Sequence, residues 1–462
     1  MKKIHGLIKN LSLFIITSTV LLACQTTPLT EVKITEVAVS APFDMPAIKR
    51  PVFDDCPNFL ITDFGAVSED QQKNTQAIAK AISAANEQGC GTVVIPKGEW
   101  ITGKVHFQSN VNLHLQEGAV LLFSDTPEDY LPAVHTTWEG MECYNYSPLI
   151  YAYECSNVAI TGKGELRAKM DVWRNWFSRP APHMNNLARL YNLAAKNSPV
   201  EDRNMVNDTA HLRPQFIQFN RCQNVLIEGV KIRESPFWVI HPYMCKDVII
   251  KNVNVYAHGH NNDGVDPEMS ENVLIEDCFF DQGDDAIALK SGRNQDAWRL
   301  NSPSKNIVIK NCTVKNGHQL LAVGSELSGG IENVFMDNCE VLEGAHLYHL
   351  LFIKTNERRG GFVENIHFTN IKSGKIDNGI MGIETDVLYQ WRDLVPTYER
   401  KLTPIQDIYL ENVHAGNVEF IARVQGDAEL PIQHIEFTKV VADSIRGNEA
   451  FITTNVEDFA HE

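Results

Sequence analysis

Three aspartates near the middle of the chain have the type and spacing that acid–base chemistry needs. Asp263 lies in the segment Asn-Asn-Asp-Gly, and Asp284 and Asp285 follow 21 and 22 residues later in Gly-Asp-Asp-Ala. Carboxylates that lie close together raise one another's pKa values, which is one way to keep a proton donor protonated near neutral pH. The three residues are therefore a candidate catalytic group, provided that the fold brings them together.

An imidazole and an ammonium group follow at similar intervals. His318 comes 33 residues after Asp285, and Lys354 comes 36 residues after His318. Each aspartate alone is more typical of a turn, but the joint pattern favours catalysis. No Ser–His pair, phosphate-binding loop or metal-ligand spacing accompanies it. Such a group suits hydrolysis of a glycosidic bond, in which one carboxylic acid protonates the leaving oxygen and a carboxylate activates water.

A short repeated strand is the element that must position these residues. The pattern Asn/Asp, Val/Ile, any residue, apolar residue recurs, and it begins at Asn157, Asn224, Asp247, Asn272, Asn306, Asn333, Asn365 and Asp407. The intervals from Asn224 to Asn365 are 23, 25, 34, 27 and 32 residues, which indicates one strand per coil of a solenoid. β-Branched residues dominate, so helical repeats are excluded.

The repeat predicts an all-β fold, a right-handed parallel β-helix over residues 51–462. A β-sandwich or propeller is the alternative, but two-residue hairpin turns are largely missing. In a solenoid, an interval of about one coil returns the chain to the same position ~4.8 Å along the axis. The candidate residues would then converge on one face.

Two segments depart from the repeat. Apolar residues at helical spacing between Asn74 and Glu87 predict a helix that caps the open N-terminal end of the solenoid. Residues 167–213 are longer than a coil needs, and their Trp and Arg content suits the wall of a sugar-binding cleft.

Six of the ten cysteines keep a fixed place in the repeat: Cys155, Cys222, Cys245, Cys278, Cys312 and Cys339. A recurrent position favours buried free thiols that pack as small apolar side chains over disulfides. The sequence leaves open whether any cysteines pair.

The N-terminus has the pattern of an export signal. Lys2 and Lys3 precede an apolar run from Leu11 to Leu22, which is too short to span a membrane as a mature helix. The ending Leu-Leu-Ala-Cys resembles a bacterial lipoprotein signal. It implies removal of residues 1–23 and lipidation of Cys24, with the outer membrane as the expected location; a plain secretory signal is the alternative. Residues 24–50 are expected to be a tether.

The amino-acid composition limits which binding partners the protein is expected to have. With 44% hydrophobic and 21% charged residues, the chain is globular rather than disordered. Its formal net charge is −17, and near −20 without the first 23 residues, so nucleic acid is not an expected partner. A polyanionic sugar would also be repelled at long range, so a local basic patch must hold it.

The sequence resembles glycoside hydrolase family 28, the polygalacturonases, over roughly residues 61–443. The likeness rests on the four family motifs Asn-Thr-Asp, Gly-Asp-Asp, Gly-His-Gly and Arg-Ile-Lys. The extended segments 289–293 and 324–330 resemble the exo-acting members of the family. The resemblance implies hydrolysis of α-1,4-galacturonosyl linkages in pectin or oligogalacturonides with inversion, without a cofactor or metal ion.

The same resemblance implies residue roles. Asp284 would be the general acid, Asp263 and Asp285 would activate water, and His318 would support the acid. Lys354 would bind a substrate carboxylate.

Three motif positions differ from the family pattern. Asn262 and Gln319 are mild changes, whereas Phe352 replaces an arginine that a lysine cannot reproduce. We expect Arg358 or Arg359 to substitute for it, and Lys290 and Arg293 to complete a basic wall beside the acids.

Other functions stay open. A β-helix pectate lyase would use Ca²⁺ at the acid group, another pectic polymer such as rhamnogalacturonan could be the substrate, and a non-catalytic adhesin would need only the solenoid.

Overall fold

The computed structural model describes residues 30–206, 211–388, 394 and 399–462. The predicted signal peptide and the predicted lipidation site Cys24 lie outside the described residues. None of the helices within these ranges is long and apolar enough to cross a membrane.

The chain folds into the predicted right-handed parallel β-helix. Successive coils pair in parallel, so that Val248 lies opposite Val225 on one side and opposite Val273 on the other. The three valines are fully buried. The apolar residue of each repeat therefore stacks on its counterpart and forms a continuous core.

Two sheets run along the solenoid. The longer sheet has 21 strands: Asn58–Leu60, Gly91–Ile95, Gly98–Thr102, Val111–Leu115, Ala119–Phe123, Ser156–Gly162, Glu165–Ala168, Gln223–Glu228, Lys231–Arg233, Lys246–Lys251, Asn254–Ala257, Glu271–Glu276, Phe279–Gln282, Ser304–Lys310, Thr313–Asn316, Ile331–Asp337, Glu340–Val341, Val363–Lys375, Ile405–Val418, Ile432–Ile445 and Val456–His461. The second sheet has a section of four strands, Val105–His106, Ile150–Tyr153, Ile217–Asn220 and Ile240–Tyr243, and a section of six, Ile287–Leu289, Gln319–Gly324, His349–Lys354, Gly379–Glu384, Phe420–Gln425 and Phe451–Thr454. Isolated bridges from Val265 to Ile240 and to Ile287 join the two sections.

The asparagine of the repeat has a structural role. Asn272, Asn306 and Asn333 have φ between 55° and 57°, a left-handed conformation that asparagine tolerates better than most residues. Asn306 Nδ2 donates to Asn272 Oδ1 at 3.1 Å, and Asn333 Nδ2 donates to Asn306 Oδ1 at 3.0 Å. The side chains thus form a hydrogen-bonded ladder along the turn.

The cysteines behave as predicted where they belong to the repeat. All six are buried free thiols, which confirms the prediction. Cys56 and Cys90 form a disulfide, with Cα atoms 5.6 Å apart. Neither residue belongs to the repeat, so the coil spacing could not predict that they pair.

The predicted capping helix spans Gln71–Glu87, three residues longer at its start than expected. The side chain of Asp70 caps it by accepting a hydrogen bond from the Lys73 amide at 3.0 Å. Its apolar face, which includes Ile78 and Ile82, is buried in the same core as the first strands.

The N-terminal segment differs from the predicted tether. Lys33–Val37 and Ile48–Val52 pair as an antiparallel ribbon, and Ile48 is fully buried. The ribbon covers an apolar stripe on the outer face of the longer sheet, which includes Leu226 and Ile249. Burial of this stripe fixes residues 33–52 to the domain.

Three insertions form one structure, which we call the insertion wall: the hairpin of Val134–Trp138 and Met141–Asn145, the segment 173–203 with helices Trp173–Phe177 and Ala181–Ala195, and the helix Asn294–Leu300. Short 3-10 turns occur at Ile61–Phe64, Pro127–Tyr130 and Val200–Asp202. A buried carboxylate joins the wall. Asp296 Oδ2 accepts from Arg203 Nη1 at 2.5 Å and from the Glu142 amide at 2.8 Å.

Candidate active site

The second sheet brings the predicted acids together. Because Val265 pairs with Ile287, Asp263 and Asp285, each two residues earlier, occupy equivalent positions on adjacent coils. The Gly264 amide donates to the Asp285 carbonyl at 3.0 Å, which fixes this register. The chain bends at residues 283–286, so both Asp284 and Asp285 face the same cleft.

The cleft has a volume of about 420 Å³. It is lined by Glu139, Arg179, Trp238, His260, Asn261, Asp263, Asp284, Asp285, Lys290, Arg293, His318, Gln319, Ser325, Glu326, Tyr348 and Lys354. Seven of the nine predicted catalytic and binding residues are therefore in one place.

Asp284 is paired with His318. His318 Nδ1 lies 2.9 Å from Asp284 Oδ1. Burial opposes ionisation of Asp284, but the hydrogen bond from His318 and the charges of His318 and Lys354 outweigh it and lower its pKa to about 2. Burial likewise disfavours the charged imidazole, and the hydrogen bond to Asp284 overcomes it and raises the pKa of His318. The two side chains thus form an ion pair that carries one proton.

The pKa of Asp263 is shifted in the opposite direction. It is nearly inaccessible to solvent, and burial together with the charge of Asp284 raises its pKa to about 8. The negative charge of Asp284 disfavours a second charge on Asp263, so the proton resides on Asp263 while Asp284 is ionised.

Lys290 neutralises part of the negative charge around Asp263. Its Nζ lies 3.5 Å from Asp263 Oδ2, 3.6 Å from Asp266 Oδ1 and 3.4 Å from Glu326 Oε2. Burial lowers the pKa of Lys290, but these carboxylates raise it well above its ordinary value. Lys290 is therefore a charged part of the cleft floor.

The other two predicted cations in the cleft are also paired with acids. Lys354 Nζ donates to Asp285 Oδ2 at 2.9 Å. Arg293 donates to Glu326 and lies 3.4 Å from Glu139 Oε2. Each of the three carboxylates predicted to be catalytic thus has a positive partner.

The sequence model of glycosyl hydrolases family 28 matches residues 198–460, more than half of the chain. The chain belongs to glycoside hydrolase family 28. It is 33% identical to a hyperthermoactive exopolygalacturonase from Thermotoga maritima, with a TM-score of 0.79 over 89% of this chain and 94% of that one. An exo-poly-α-D-galacturonosidase of Dickeya chrysanthemi is 28% identical over 60% of this chain, which spans about half (49%) of that relative. A probable polygalacturonase of Vitis vinifera is 26% identical over 82% of this chain and 73% of its own length.

As a family 28 glycosidase, the protein departs from the predicted basic wall at two arginines. Arg358 and Arg359 do not line the cleft. Arg359 is buried, its Nη1 donates to Asn294 Oδ1 at 2.9 Å, and burial lowers its pKa to about 9. It is held against the helix Asn294–Leu300, so its proximity to Lys354 in sequence does not bring it to the substrate.

In and next to the cleft of this family 28 enzyme lie residues that the sequence did not predict. Asp266 does not line the cleft but lies 3.6 Å from Lys290 Nζ; it is fully buried, and neither of its oxygens accepts a hydrogen bond from the described residues. Burial, then the charge of Asp263, raises its pKa well above the ordinary value. Glu139 and Arg179 come from the insertion wall, where no repeat register could align them with the acids.

Asp284, Asp285 and His318 could in principle bind a cation, since one ligand atom of each lies within 4.8 Å of the others. However, His318 is bonded to Asp284 and Lys354 to Asp285. These positive partners already neutralise the carboxylates that a calcium ion would require, so the arrangement disfavours the lyase alternative.

Proposed function

We propose that this family 28 glycosidase is an exo-acting polygalacturonase that hydrolyses α-1,4-galacturonosyl linkages with inversion of configuration. The observation that carries the proposal is the group of three aspartates in one cleft, each near a cationic partner. The exo-acting relatives from Thermotoga and Dickeya support the substrate and the mode of action.

Asp284 is the proton donor in this proposal, although its pKa is low in the free enzyme. The charges of His318, Lys354 and Lys290 help to keep it ionised. A bound galacturonate carboxylate would neutralise part of that positive charge and exclude water, and both changes raise the pKa of Asp284. The proton of the His318–Asp284 ion pair then moves from Nδ1 to Oδ1, from which Asp284 protonates the leaving oxygen.

Asp263 and Asp285 activate the attacking water in this proposal. The charge of Asp284 links the two steps, because a proton on Asp284 removes the negative charge that holds the proton on Asp263. Asp263 then releases its proton to the solvent, and its carboxylate is free to take a proton from the attacking water.

The insertion wall supports exo action. Glu139, Arg179 and Arg293 line the cleft from the wall or next to it, and the buried Arg203–Asp296 pair joins two segments of the wall. A wall beside the acid group favours binding of the end of a polymer over binding of its middle. Tyr348, 39% exposed and 5.2 Å from the His318 ring, offers an aromatic surface for a sugar.

Product analysis tests the proposal. The purified protein should release mono- or digalacturonate from polygalacturonate, with little early loss of viscosity and no unsaturated product. Proton NMR of the first turnovers should show the β-anomer. Unsaturated products would replace the hydrolase with a lyase, release from rhamnogalacturonan alone would change the substrate, and an initial α-anomer would contradict inversion.

We also propose that the mature protein is a lipoprotein attached through Cys24. The support is the sequence pattern of residues 1–24, and the location proposed is the outer membrane.

A further inference from the structure

The guanidinium of Arg213 is buried where the insertion wall meets the solenoid. Along the chain, Arg213 lies between the wall segment 173–203 and the strand Ile217–Asn220, and it is fully inaccessible to solvent. Its Cζ atom lies 4.8 Å from the centre of the Phe177 ring, which belongs to the wall, and 5.2 Å from that of the Phe237 ring, which belongs to a coil. The side chain therefore contacts both structures.

The hydrogen bonds of Arg213 connect two adjacent coils. Its Nη1 donates to the carbonyl oxygens of Pro236 and His260, at 2.7 and 2.6 Å, and its Nη2 donates to Asn261 Oδ1 at 2.9 Å. Pro236 belongs to the coil that precedes the catalytic coil, whereas the other two acceptors belong to the catalytic coil itself. One guanidinium thus fixes how the two coils lie relative to each other at this point.

The turn that Arg213 holds leads directly to Asp263. Asn261 has a φ of +59° and lies two residues before Asp263. Between them, the side-chain amide of Asn262 donates to the carbonyl oxygen of Phe237 at 3.0 Å. Arg213 therefore holds this turn from outside the repeat, and Asn262 holds it from within the turn.

Arg213 also brings a positive charge towards the acids. Burial lowers its pKa to about 9, so it stays charged at neutral pH, and the negative charges of Glu139, Asp284 and Asp263 favour its charged form. By the same attraction, the guanidinium favours the ionised form of Asp263. The other charged groups that act on Asp263 are Asp284, Asp285, Asp266, Lys290 and Lys354.

We propose that Arg213 is a positioning residue for the reaction, which holds the turn before Asp263 and so places the carboxylate that activates water. This inference rests on the proposed function. A guanidinium suits the role because its planar fork of donors binds several oxygens in fixed directions, whereas the ammonium group of a lysine is a point charge on a flexible stem.

Steady-state kinetics of Arg213→Gln over a range of pH tests the inference, with trigalacturonate as the substrate. We expect kcat to fall about 10- to 100-fold, because a displacement of about 1 Å in a catalytic site can cost ~10²-fold. KM should change less than threefold, because Arg213 does not line the cleft. The acid limb of the pH–rate profile should move to higher pH, because loss of the positive charge raises the pKa of Asp263.

Arg213→Lys separates position from charge. It keeps the charge, so its acid limb should match that of the wild type, while its kcat should lie between those of the wild type and Arg213→Gln. Arg203→Met is the matched control, because Arg203 is equally buried but bonds Asp296 and the carbonyl oxygens of Ser198 and Glu142, none of which belongs to the catalytic turn. Its acid limb should equal that of the wild type.

Three results would overturn the inference: an unmoved acid limb in folded Arg213→Gln, an unchanged kcat in that variant, or the same shift of the acid limb in Arg203→Met. If Arg213→Gln does not fold, Arg213→Lys decides, since a reduced kcat with a wild-type acid limb supports the inference and a wild-type kcat overturns it. A wild-type protein that cleaves no galacturonide would instead refute the proposed function itself, so the two failures are distinguishable.

Discussion

At the scale of single residues, Asp284 is distinguished from the other cleft acids by its contact with His318. Asp284→Asn keeps the shape of the side chain but cannot deliver a proton. We expect kcat on polygalacturonate to fall by ~10² to 10⁴. On an aryl galacturonide with a nitrophenol leaving group, which needs no proton, the loss should be less than tenfold. Initial-rate assays on the two substrates measure the difference.

Asp277→Asn is the control for this variant, because Asp277 lies in an exposed turn of the same region. Its activity should stay within twofold of the wild type. Equal losses of Asp284→Asn on both substrates would remove Asp284 from the acid role. If Asp263→Asn instead shows the selective loss, Asp263 is the acid.

The proton on Asp263 gives a pH prediction. Its pKa is raised to about 8, so the Asp263–Asp284 pair retains one proton below that pH and none above it. Because Asp263 must be ionised to activate water, we expect kcat/KM to rise as the pH approaches about 8 and to fall where His318, the source of the transferred proton, loses that proton. The pH–rate profile of His318→Gln separates the two groups: the acid limb set by Asp263 should persist, and the alkaline limb set by His318 should disappear.

The same proton affects stability with a defined sign. The pKa of Asp263 is higher in the folded protein than its ordinary 3.8, so its stabilising contribution is complete below 3.8 and is lost as the pH rises towards about 8. Asp266 acts in the same direction. Denaturant unfolding of Asp263→Asn should therefore show a weaker decline of the unfolding free energy between pH 5 and 8 than the wild type.

Coil intervals explain which site residues could be predicted. Asp263, Asp285, His318 and Lys354 recur at roughly one coil, so the repeat itself places them on one face. Arg179 lies in an insertion outside the repeat, so no coil interval predicts its position. The direction of its side chain depends on the φ angle of that one residue. Arg359 was predicted to join the basic wall only because it lies close to Lys354 in the sequence. That prediction was wrong because Arg359 is buried against another helix.

At the scale of elements, the asparagine ladder shows why the fold was predictable. Each repeat needs a residue that tolerates positive φ and also bonds the next coil, and asparagine does both. The N-terminal ribbon has no such signal. Its strands form because an apolar stripe on the finished sheet needs cover, a tertiary requirement that residues 33–52 do not reveal on their own.

The insertion wall depends on one buried ion pair, which gives an element-scale prediction. Arg203 and Asp296 are both essentially inaccessible to solvent. Arg203→Met leaves the buried Asp296 carboxylate with the longer contact to Arg299 Nη2 at 3.5 Å as its charge partner, so we expect a loss at the lower end of the about 3–5 kcal/mol that breaking a buried ion pair costs. We expect a lower melting temperature, faster proteolysis within residues 173–203, and weaker selectivity for polymer ends. Calorimetry and limited proteolysis measure the first two.

Arg174→Met removes an exposed ion pair of the same segment and should cost less than about 1 kcal/mol. Similar melting temperatures for the two variants would show that the Arg203–Asp296 pair does not hold the wall. Internal cleavage of polygalacturonate by a folded Arg203→Met protein would link the wall directly to exo action.

At the scale of the whole molecule, the proposed substrate is a polyanion, whereas the chain itself has a formal net charge of −17. Long-range electrostatics opposes the encounter, so recognition has to occur over short distances. The cleft contains four cations for this purpose, since Arg179, Lys290, Arg293 and Lys354 all line it.

The proposed anchor gives a prediction about location. Two or more acyl chains on Cys24 bind a bilayer stably, because each buried methylene contributes ~0.8 kcal/mol. The wild-type protein should therefore sediment with outer membranes and resist washing with high salt, whereas Cys24→Ser should appear in the soluble fraction with unchanged specific activity. Gln25→Asp is the matched variant: it keeps the acylation site but resembles an inner-membrane retention signal, so it should sediment with the inner membrane. If Cys24→Ser remains in the outer membrane after a salt wash, some other part of the chain attaches the enzyme, and the lipoprotein proposal fails while the hydrolase proposal stands.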